Sequence, residues 1–508
     1  MSRMPIVLGR LRFALASLAL VATFLWAVGC GGDDDPPPTR VSGVPSPSIE
    51  GPITGGLGTP FIASTTFDLG QVGYSEAEYF ISGTATGYTN VGTLGADGEW
   101  TVAPAETAAY KTRILVYRPQ RSAFNGPVVV EWLNVSGGLD AAADWITGHT
   151  EMIREGFAWV GVSAQFVGVE GGTSVLGFPV NSLKTVDPQR YGSLVHPGDT
   201  FSYDIFSQAG QAIRRPAGLK PLGDLQPRTV IAVGESQSAF RFVTYINAVH
   251  PRAHIYDGFL VHSRGGSNVA AAPLSEAPQP LIAVPGTAQI RSDLDVPVLA
   301  FETETDLTLL GYAPAQQPDS AHFRLWEVAG TAHADTYTTV VGGTDLGDSP
   351  DAARLVITSM PLAGFSCQKP INSGPQHFVL NAALAALNQW VRHGTLPPIA
   401  PRLQVIPGPP IRIARDAMGN GLGGIRTPQV DVPVAALSGE GQTGSIFCLL
   451  FGTTTPFNPA TLTSLYATHS DYVAAFDAAT DQAVHAGFIL APDADLMKAA
   501  AAQSDIGG

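Results

Sequence analysis

The chain has 508 residues, of which 45% are hydrophobic and 14% are charged, a balance typical of a folded globular protein rather than a disordered one. This length suits one large domain with insertions, or two to three ordinary domains. The formal net charge of −15 argues against a nucleic-acid partner, because binding to phosphates needs a basic face.

Residues 1–29 have the layout of a secretory signal peptide, with three arginines ahead of an apolar run at 13–28. Small residues precede Cys30, as in bacterial lipoprotein signals, so we expect Cys30 to be the lipidated first residue of the mature protein. The expected location is the bacterial cell envelope, on the outer membrane or facing the periplasm, unless the protein is secreted. An uncleaved membrane anchor is the alternative, since the run is close to the minimum length of a span.

The rest of the chain divides by composition into three parts. Residues 30–58 are polar and rich in Pro, Gly and Ser, which predicts a flexible tether. Residues 59–399 are the predicted core, and residues 400–508 are a predicted C-terminal extension packed on it. In an exported protein Cys367 and Cys448 could form a disulfide, with two unpaired buried thiols as the alternative.

Short apolar runs alternate with helical patterns along the predicted core. The runs predict strands at residues 78–83, 111–117, 127–133, 157–164, 229–233, 256–261, 296–301 and 323–328. Helical periodicity covers residues 199–214, 238–250, 378–391 and 465–500. This alternation predicts an α/β fold with a mostly parallel central sheet and helices on both faces.

Residues 229–250 predict a buried strand, a tight turn and a helix, and the turn carries Ser236 within the sequence G-E-S-Q-S. Such a turn exposes a serine to an external base, and it needs small residues two before and two after the serine. Gly234 and Ser238 meet that need. A second G-x-S sequence, at residues 172–174, lacks the flanking strand and helix. Ser236 is therefore the predicted nucleophile.

An acid is expected after the strand at 296–301, where Glu302, Glu304 and Asp306 follow one another. Asp306 is favoured, because the loop after the strand would place it naturally. Glu304 is the alternative through its longer side chain, and Glu302 ranks third.

The base is expected at the end of a later strand. His333 follows the strand at 323–328 and a turn containing glycine, which gives the chain order Ser, acid, His of an α/β-hydrolase. His262, at the end of the strand at 256–261, is the alternative, but it precedes the acidic cluster.

Two backbone N–H groups should stabilise a developing oxyanion beside the serine. One belongs to Gln237, at the start of the helix after the turn. The second is expected in the sequence N-V-S-G-G at 134–138, from Val135 or Ser136, unless that segment is only a glycine-rich turn.

Several blocks in this order carry a resemblance to a known family. They are E-W-L-N-V-S-G-G at 131–138, S-Y-D-I-F-S-Q-A-G at 202–210, G-E-S-Q-S at 234–238, E-T-D at 304–306, G-T-A-H-A-D at 330–335 and D-A-M-G-N-G-L-G-G-I-R at 416–426. Together they resemble a bacterial family of "alpha/beta hydrolase domain" proteins related to esterases, from about residue 65 to about residue 500. The resemblance implies the α/β-hydrolase fold and a triad of Ser236, His333 and either Asp306 or Glu304.

These features predict a serine hydrolase that cleaves small-molecule or polymeric carboxylic esters through an acyl-enzyme. No metal or organic cofactor is expected, because the sequence has no H-E-x-x-H motif or Cys/His ligand spacing. An amidase or peptidase with the same triad is one alternative. A non-catalytic envelope binding protein on a hydrolase scaffold is another.

Overall fold

The computed structural model describes residues 42–174, 177, 179–266, 271–359 and 366–507. The predicted signal peptide and Cys30 lie outside these residues. Within the described ranges, no helix combines the length and the hydropathy needed to cross a bilayer.

A nine-stranded sheet organises the described part of the chain, and its spatial order is β1-β2-β3-β5-β4-β6-β7-β8-β9. The strands are β1 Ser48–Glu50, β2 Tyr74–Asn90, β3 Val102–Pro119, β4 Pro127–Trp132, β5 Ala158–Val162, β6 Thr229–Glu235, β7 Gly258–His262, β8 Val298–Thr303 and β9 Phe323–Val328. The six strands from β5 to β9 pair in parallel, while β1, β2 and β3 are antiparallel to their neighbours. The predicted mostly parallel α/β sheet is thus confirmed.

Helices connect the parallel strands and form the last part of the C-terminal region. They are α1 Ala143–Arg154, α2 Phe166–Glu170, α3 Leu183–Val186, α4 Pro188–Tyr191, α5 Ser202–Arg214, α6 Gln237–Thr244, α7 His250–Ala253, α8 Glu304–Thr308, α9 Gln376–His393, α10 Pro428–Asp431, α11 Pro459–Leu465, α12 His469–His485 and α13 Ala491–Ala502. Short 3-10 helices span Leu69–Val72, Asp199–Phe201, Ala313–Ala315, Pro350–Ala353 and Ile446–Phe451, and π-helical turns span Tyr245–Val249 and Tyr337–Val341. Two small ribbons pair β10 Val405–Ile406 with β11 Arg412–Ile413, and β12 Ala435–Ser438 with β13 Thr453–Pro456.

Both faces of the parallel part of the sheet are buried, which explains why the strands β4 to β9 are largely apolar. Val128 and Val130 of β4 belong to an apolar cluster that includes residues of α5 and α6. Val129, between them, belongs to a second cluster that includes residues of α1 and α9. The alternation of side chains along a strand therefore serves two cores at once.

The C-terminal region shares the second of these cores. Tyr472 and Phe476 of α12 and Met497 of α13 lie in the same apolar cluster as Leu380 of α9. The sulfur atoms of Cys367 and Cys448 form a disulfide bond across 81 residues of sequence.

The expectation of a flexible tether through residue 58 is wrong for its last part. Ser48–Glu50 pairs with the outer edge of β2, which otherwise would present unpaired backbone groups. The guanidinium of Arg190 donates hydrogen bonds to the carbonyl oxygens of Ile53 and Gly55. Composition alone missed these contacts because both are made with residues far along the chain.

Two further element boundaries differ from those expected. The antiparallel pair β2 and β3 is 17 and 18 residues long, far beyond the short runs that hydropathy marked. The continuous helix expected over residues 465–500 is divided into the end of α11 and the separate helices α12 and α13. Gly487 in a left-handed conformation and Pro492 in the first turn of α13 account for the second break.

Candidate active site

Ser236 occupies a strained turn between β6 and α6. Its φ of 57° and ψ of −118° are uncommon for a residue with a side chain, and such strain is concentrated at functional sites. A Cβ at Gly234 would lie 2.2 Å from the Phe242 ring, so only glycine fits there. At the other small position, the buried Ser238 hydroxyl has no hydrogen-bond partner in the described structure. The local sequence therefore forms the sharp turn that the motif predicts.

His333 lies between Ser236 and Asp306. Its Nε2 is 2.7 Å from Oγ of Ser236, and its Nδ1 is 2.6 Å from Oδ1 of Asp306. Ser236, Asp306 and His333 follow the carboxyl ends of β6, β8 and β9, with Asp306 in the first turn of α8, and the carboxyl ends of parallel strands meet at one edge of the sheet. The structure brings the three favoured residues together in a single hydrogen-bonded chain.

The orientation of Asp306 is fixed by the helix that it begins. Its Oδ2 accepts hydrogen bonds from the backbone N–H (2.6 Å) and the hydroxyl (2.7 Å) of Thr303, which caps α8. Its Oδ1 remains directed at His333. A capping box thus holds one carboxylate oxygen and leaves the other for the imidazole.

Glu304, the alternative acid, points elsewhere. Its Oε1 accepts a hydrogen bond from the N–H of Gly330, and its Oε2 accepts from the N–H of Gly439 and from Arg415. Burial raises the pKa of Glu304, and the Arg415 guanidinium partly opposes that rise. Glu304 therefore ties the loop that leads to His333 to the C-terminal region.

The remaining alternatives do not contact the serine hydroxyl. His262 Nδ1 is 2.8 Å from Oδ1 of Asp144, and the carbonyl oxygen of His262 accepts the N–H of Ser236. Among the described residues, the carboxyl oxygens of Glu302 have no hydrogen-bond partner, and burial raises its pKa well above the usual range. Ser174, in the second G-x-S sequence, lies in an irregular segment.

Glu235 is a functional candidate that the sequence analysis missed. Its Oε1 lies 3.4 Å from Nε2 of His333, and burial raises its pKa to about 7. Burial lowers the pKa of His333, but the carboxylates of Asp306 and Glu235 outweigh that effect, so its pKa is raised overall. A second carboxyl group, at the end of β6, therefore lies close to the imidazole of His333.

Asn134 joins the nucleophile turn to the loop that was expected to supply an oxyanion donor. Its amide nitrogen donates to the carbonyl oxygen and to Oε2 of Glu235. Its Oδ1 accepts the backbone N–H of Ser136 at 2.8 Å. The N–H of Val135 has no acceptor among the described residues, so Val135 is the better donor of the two candidates.

The side chain of Gln237 is held by Gln165, the residue before α2. The Gln165 amide donates to Oε1 of Gln237 (2.9 Å) and to the carbonyl oxygen of Leu133, and the Gln237 amide donates back to Gln165. This reciprocal pair links the loops after β4, β5 and β6 beside Ser236. No local pattern points to Gln165, because amide pairs join residues that are far apart in the chain.

One group of possible metal ligands occurs in the described residues, away from the triad. His250, His254 and Asp295 have ligand atoms within 4.8 Å of one another. None of these residues contacts Ser236, Asp306 or His333 through a described hydrogen bond or ion pair.

A parallel sheet with a strained serine turn after its central strand, followed by an acid and a histidine in that order, defines an α/β-hydrolase. The model of the family described as "Alpha/beta hydrolase domain" matches residues 49–499, and the chain belongs to this family. The resemblance inferred from the motifs is confirmed. Among curated proteins, the comparison found no match.

Similar solved structures are remote. A carboxylesterase from Lactobacillus plantarum is 14% identical, with 45% of this chain and 78% of that chain covered and a TM-score of 0.25. One of two fungal esterases from Rhizomucor miehei is 12% identical over 61% and 84% of the two chains, with a TM-score of 0.29. A lipase/esterase from Lactobacillus plantarum is 13% identical over 48% and 91%, with a TM-score of 0.26.

The roles of the two acids after β8 can be separated by substitution. Asp306→Asn keeps the volume but removes the charge facing His333, so reaction of Ser236 with a fluorophosphonate should slow by roughly 10⁴-fold. Glu304→Gln removes one of the two carboxylates that pair with Arg415, while Glu440 remains, and should lower the free energy of unfolding by roughly 1 kcal/mol. Labelling kinetics and thermal unfolding measure the two effects. If Glu304→Gln slowed labelling as much as Asp306→Asn in folded protein, the assignment of Asp306 would be wrong.

Glu235 should shift the pH dependence of the site. A histidine accepts a proton only when it is neutral, so labelling that uses His333 as the base should slow as the pH drops through the pKa of His333. The ionised Glu235 favours the imidazolium, so Glu235→Gln should move this acidic limb to lower pH. Glu106→Gln, which removes an exposed carboxylate from β3, is the matched control and should leave the profile unchanged. An unshifted or upward-shifted limb in Glu235→Gln would contradict the interpretation.

Proposed function

We propose that the protein is a carboxylic ester hydrolase that works through an acyl-enzyme on Ser236. The observation that carries the proposal is the hydrogen-bonded chain from Ser236 through His333 to Asp306, with contacts of 2.7 and 2.6 Å. Membership of the α/β-hydrolase family supports a hydrolytic reaction. The fold alone does not determine which bond is cleaved, so the proposal depends on the residues of the site.

Each residue has one role in the proposed reaction. Oγ of Ser236 forms a bond to the acyl carbon while Nε2 of His333 takes the hydroxyl proton. Asp306 accepts the Nδ1–H of His333, which fixes the tautomer and stabilises the imidazolium. As the C–O bond breaks, His333 returns the proton to the departing alcohol. A water molecule then gives a proton to His333 as its oxygen attacks the acyl carbon. The bond from the acyl carbon to Oγ breaks as His333 returns that proton to Ser236, which releases the acid.

The tetrahedral intermediate carries a negative oxygen that needs fixed donors. The backbone N–H groups of Gln237 and Val135 are the proposed pair, and each donor is worth about 3 kcal/mol of transition-state stabilisation in comparable sites. Asn134 supports this role, because its side chain bonds both to Glu235, two residues before Gln237, and to Ser136, the residue after Val135. These bonds connect the two segments that supply the donors.

The proposal predicts a specific pattern of turnover. Wild-type protein should hydrolyse p-nitrophenyl esters far faster than p-nitroanilides of the same acyl group. Ser236→Ala should lose at least roughly 10⁴-fold of the ester activity, because the nucleophile is removed. Ser174→Ala, in the second G-x-S sequence, is the matched control and should keep full activity. Initial rates over acyl lengths from acetyl to decanoyl measure both effects.

Each alternative function predicts a different result. Equal rates on esters and anilides would favour an amidase. Ligand binding that survives Ser236→Ala, with no turnover by the wild type, would favour a binding protein on the hydrolase scaffold.

A further inference from the structure

His262, at the carboxyl end of β7, contacts the serine turn with its main chain and helix α1 with its side chain. Its carbonyl oxygen accepts the backbone N–H of Ser236 at 2.9 Å. Its Nδ1 lies 2.8 Å from Oδ1 of Asp144, in the first turn of α1. Neither contact involves the hydroxyl of Ser236, so His262 takes no part in the proton transfers proposed above.

The helix that His262 contacts begins directly after the loop that carries Val135. The backbones of Asn134 and Ala141 exchange two hydrogen bonds, of 3.0 and 2.8 Å, which close this loop at its base. The carboxylate of Glu131, on β4, accepts the backbone N–H of Asp144 at 2.9 Å. The end of β4, the base of the loop and the first turn of α1 thus form one hydrogen-bonded unit.

The position of His262 is restricted on both sides of its Cα atom. Its ring meets that of Phe301, its neighbour on β8, edge to face, with centroids 5.2 Å apart and 88° between the planes. The next residue, Ser263, has a φ of 55°, which is uncommon for a residue with a side chain, and its N–H donates to the carbonyl oxygen of Phe301 at 2.7 Å. These contacts restrict the direction of the carbonyl group that accepts the N–H of Ser236.

The contact between Asp144 and His262 is a buried ion pair. Burial lowers the pKa of His262, but the hydrogen bond and the charge of Asp144, with the charges of Glu235 and Asp306, raise it overall. A buried ion pair often adds nothing to stability relative to apolar side chains of similar volume, because both charges lose their hydration. Its other known use is to specify one arrangement of the segments that it joins.

We propose that His262 is a positioning residue, which aligns Ser236 with the oxyanion donor of Val135 by joining the serine turn to α1. The inference rests on the proposed ester hydrolysis. Asn134 already connects the two segments through Glu235, and His262 adds a second connection from β7. A misplacement of about 1 Å between reacting groups can cost roughly 100-fold in rate, so loss of this connection should lower kcat/KM for esters at least tenfold.

The test measures kcat/KM for p-nitrophenyl butyrate in variants of the full chain. His262→Phe keeps a ring to pack on Phe301 but removes the donor to Asp144, so kcat/KM should fall at least tenfold. Inhibition by an alkyl trifluoromethyl ketone should weaken by a similar factor, because its adduct with Ser236 carries the oxyanion. His262→Asn places an amide nitrogen at the position of Nδ1, so it should restore most of the lost activity.

Two further variants separate alignment from stability. Leu384→Ala removes a buried side chain in the middle of α9, so it should lower the Tm and keep the kcat/KM of the parent. The double variant Asp144→Leu with His262→Phe leaves neither member of the ion pair without its partner. It should therefore fold even if His262→Phe alone does not, and it should lose as much kcat/KM as His262→Phe.

The wild type tests the proposed function by itself. If it neither hydrolysed the ester nor reacted with a fluorophosphonate at Ser236, the proposed function and this inference would both be overturned. With an active wild type, the inference alone would be overturned if folded His262→Phe or the double variant kept more than a tenth of the parent's kcat/KM. It would equally be overturned if His262→Asn were as slow as His262→Phe.

Discussion

The carboxylate of Asp306 is the contact on which the geometry of the candidate site depends. One of its oxygens caps helix α8 through Thr303, and the other accepts from the imidazole of His333. Rotation of this carboxylate would break its two hydrogen bonds to Thr303, so the capping box of α8 restricts the position of the oxygen that accepts from His333. The orientation of His333 toward Ser236 follows from this arrangement.

Three other acids, Glu304, Glu131 and Glu235, are stabilised in different ways. Glu304 receives two backbone N–H groups and Arg415, which joins the histidine loop to the C-terminal region. Glu131 receives the first N–H groups of α1 from Asp144 and Trp145, where the helix dipole favours negative charge. Within the described part of the chain, the side chain of Glu235 contacts the amide of Asn134 and the imidazole of His333, and burial raises its pKa to about 7.

Local sequence was enough to predict the serine turn and the order of the triad. Both depend on short-range constraints, the small residue at Gly234 and the apolar strands that precede Ser236 and His333. The choice between Asp306 and Glu304 was open, although the Thr303-x-x-Asp306 spacing of a capping box was a signal that favoured Asp306.

Other features depend on contacts between distant segments, which no local pattern reports. The edge strand Ser48–Glu50 needs β2 beside it, and the amide of Gln165 needs Gln237 across the site. The approach of Glu235 to His333 joins residues 98 positions apart, so only the folded chain makes it apparent.

The most direct test of the central claim is to trap the acyl-enzyme. An aryl carbamate transfers a carbamoyl group to an activated serine, and hydrolysis of that product is slow enough for mass spectrometry of the digested protein. The account predicts a stoichiometric carbamoyl group on Ser236 in the wild type and none in His333→Ala. The account would be contradicted if folded wild-type protein hydrolysed esters but carried the carbamoyl group on another residue. It would also be contradicted if that protein hydrolysed esters and formed no adduct at Ser236.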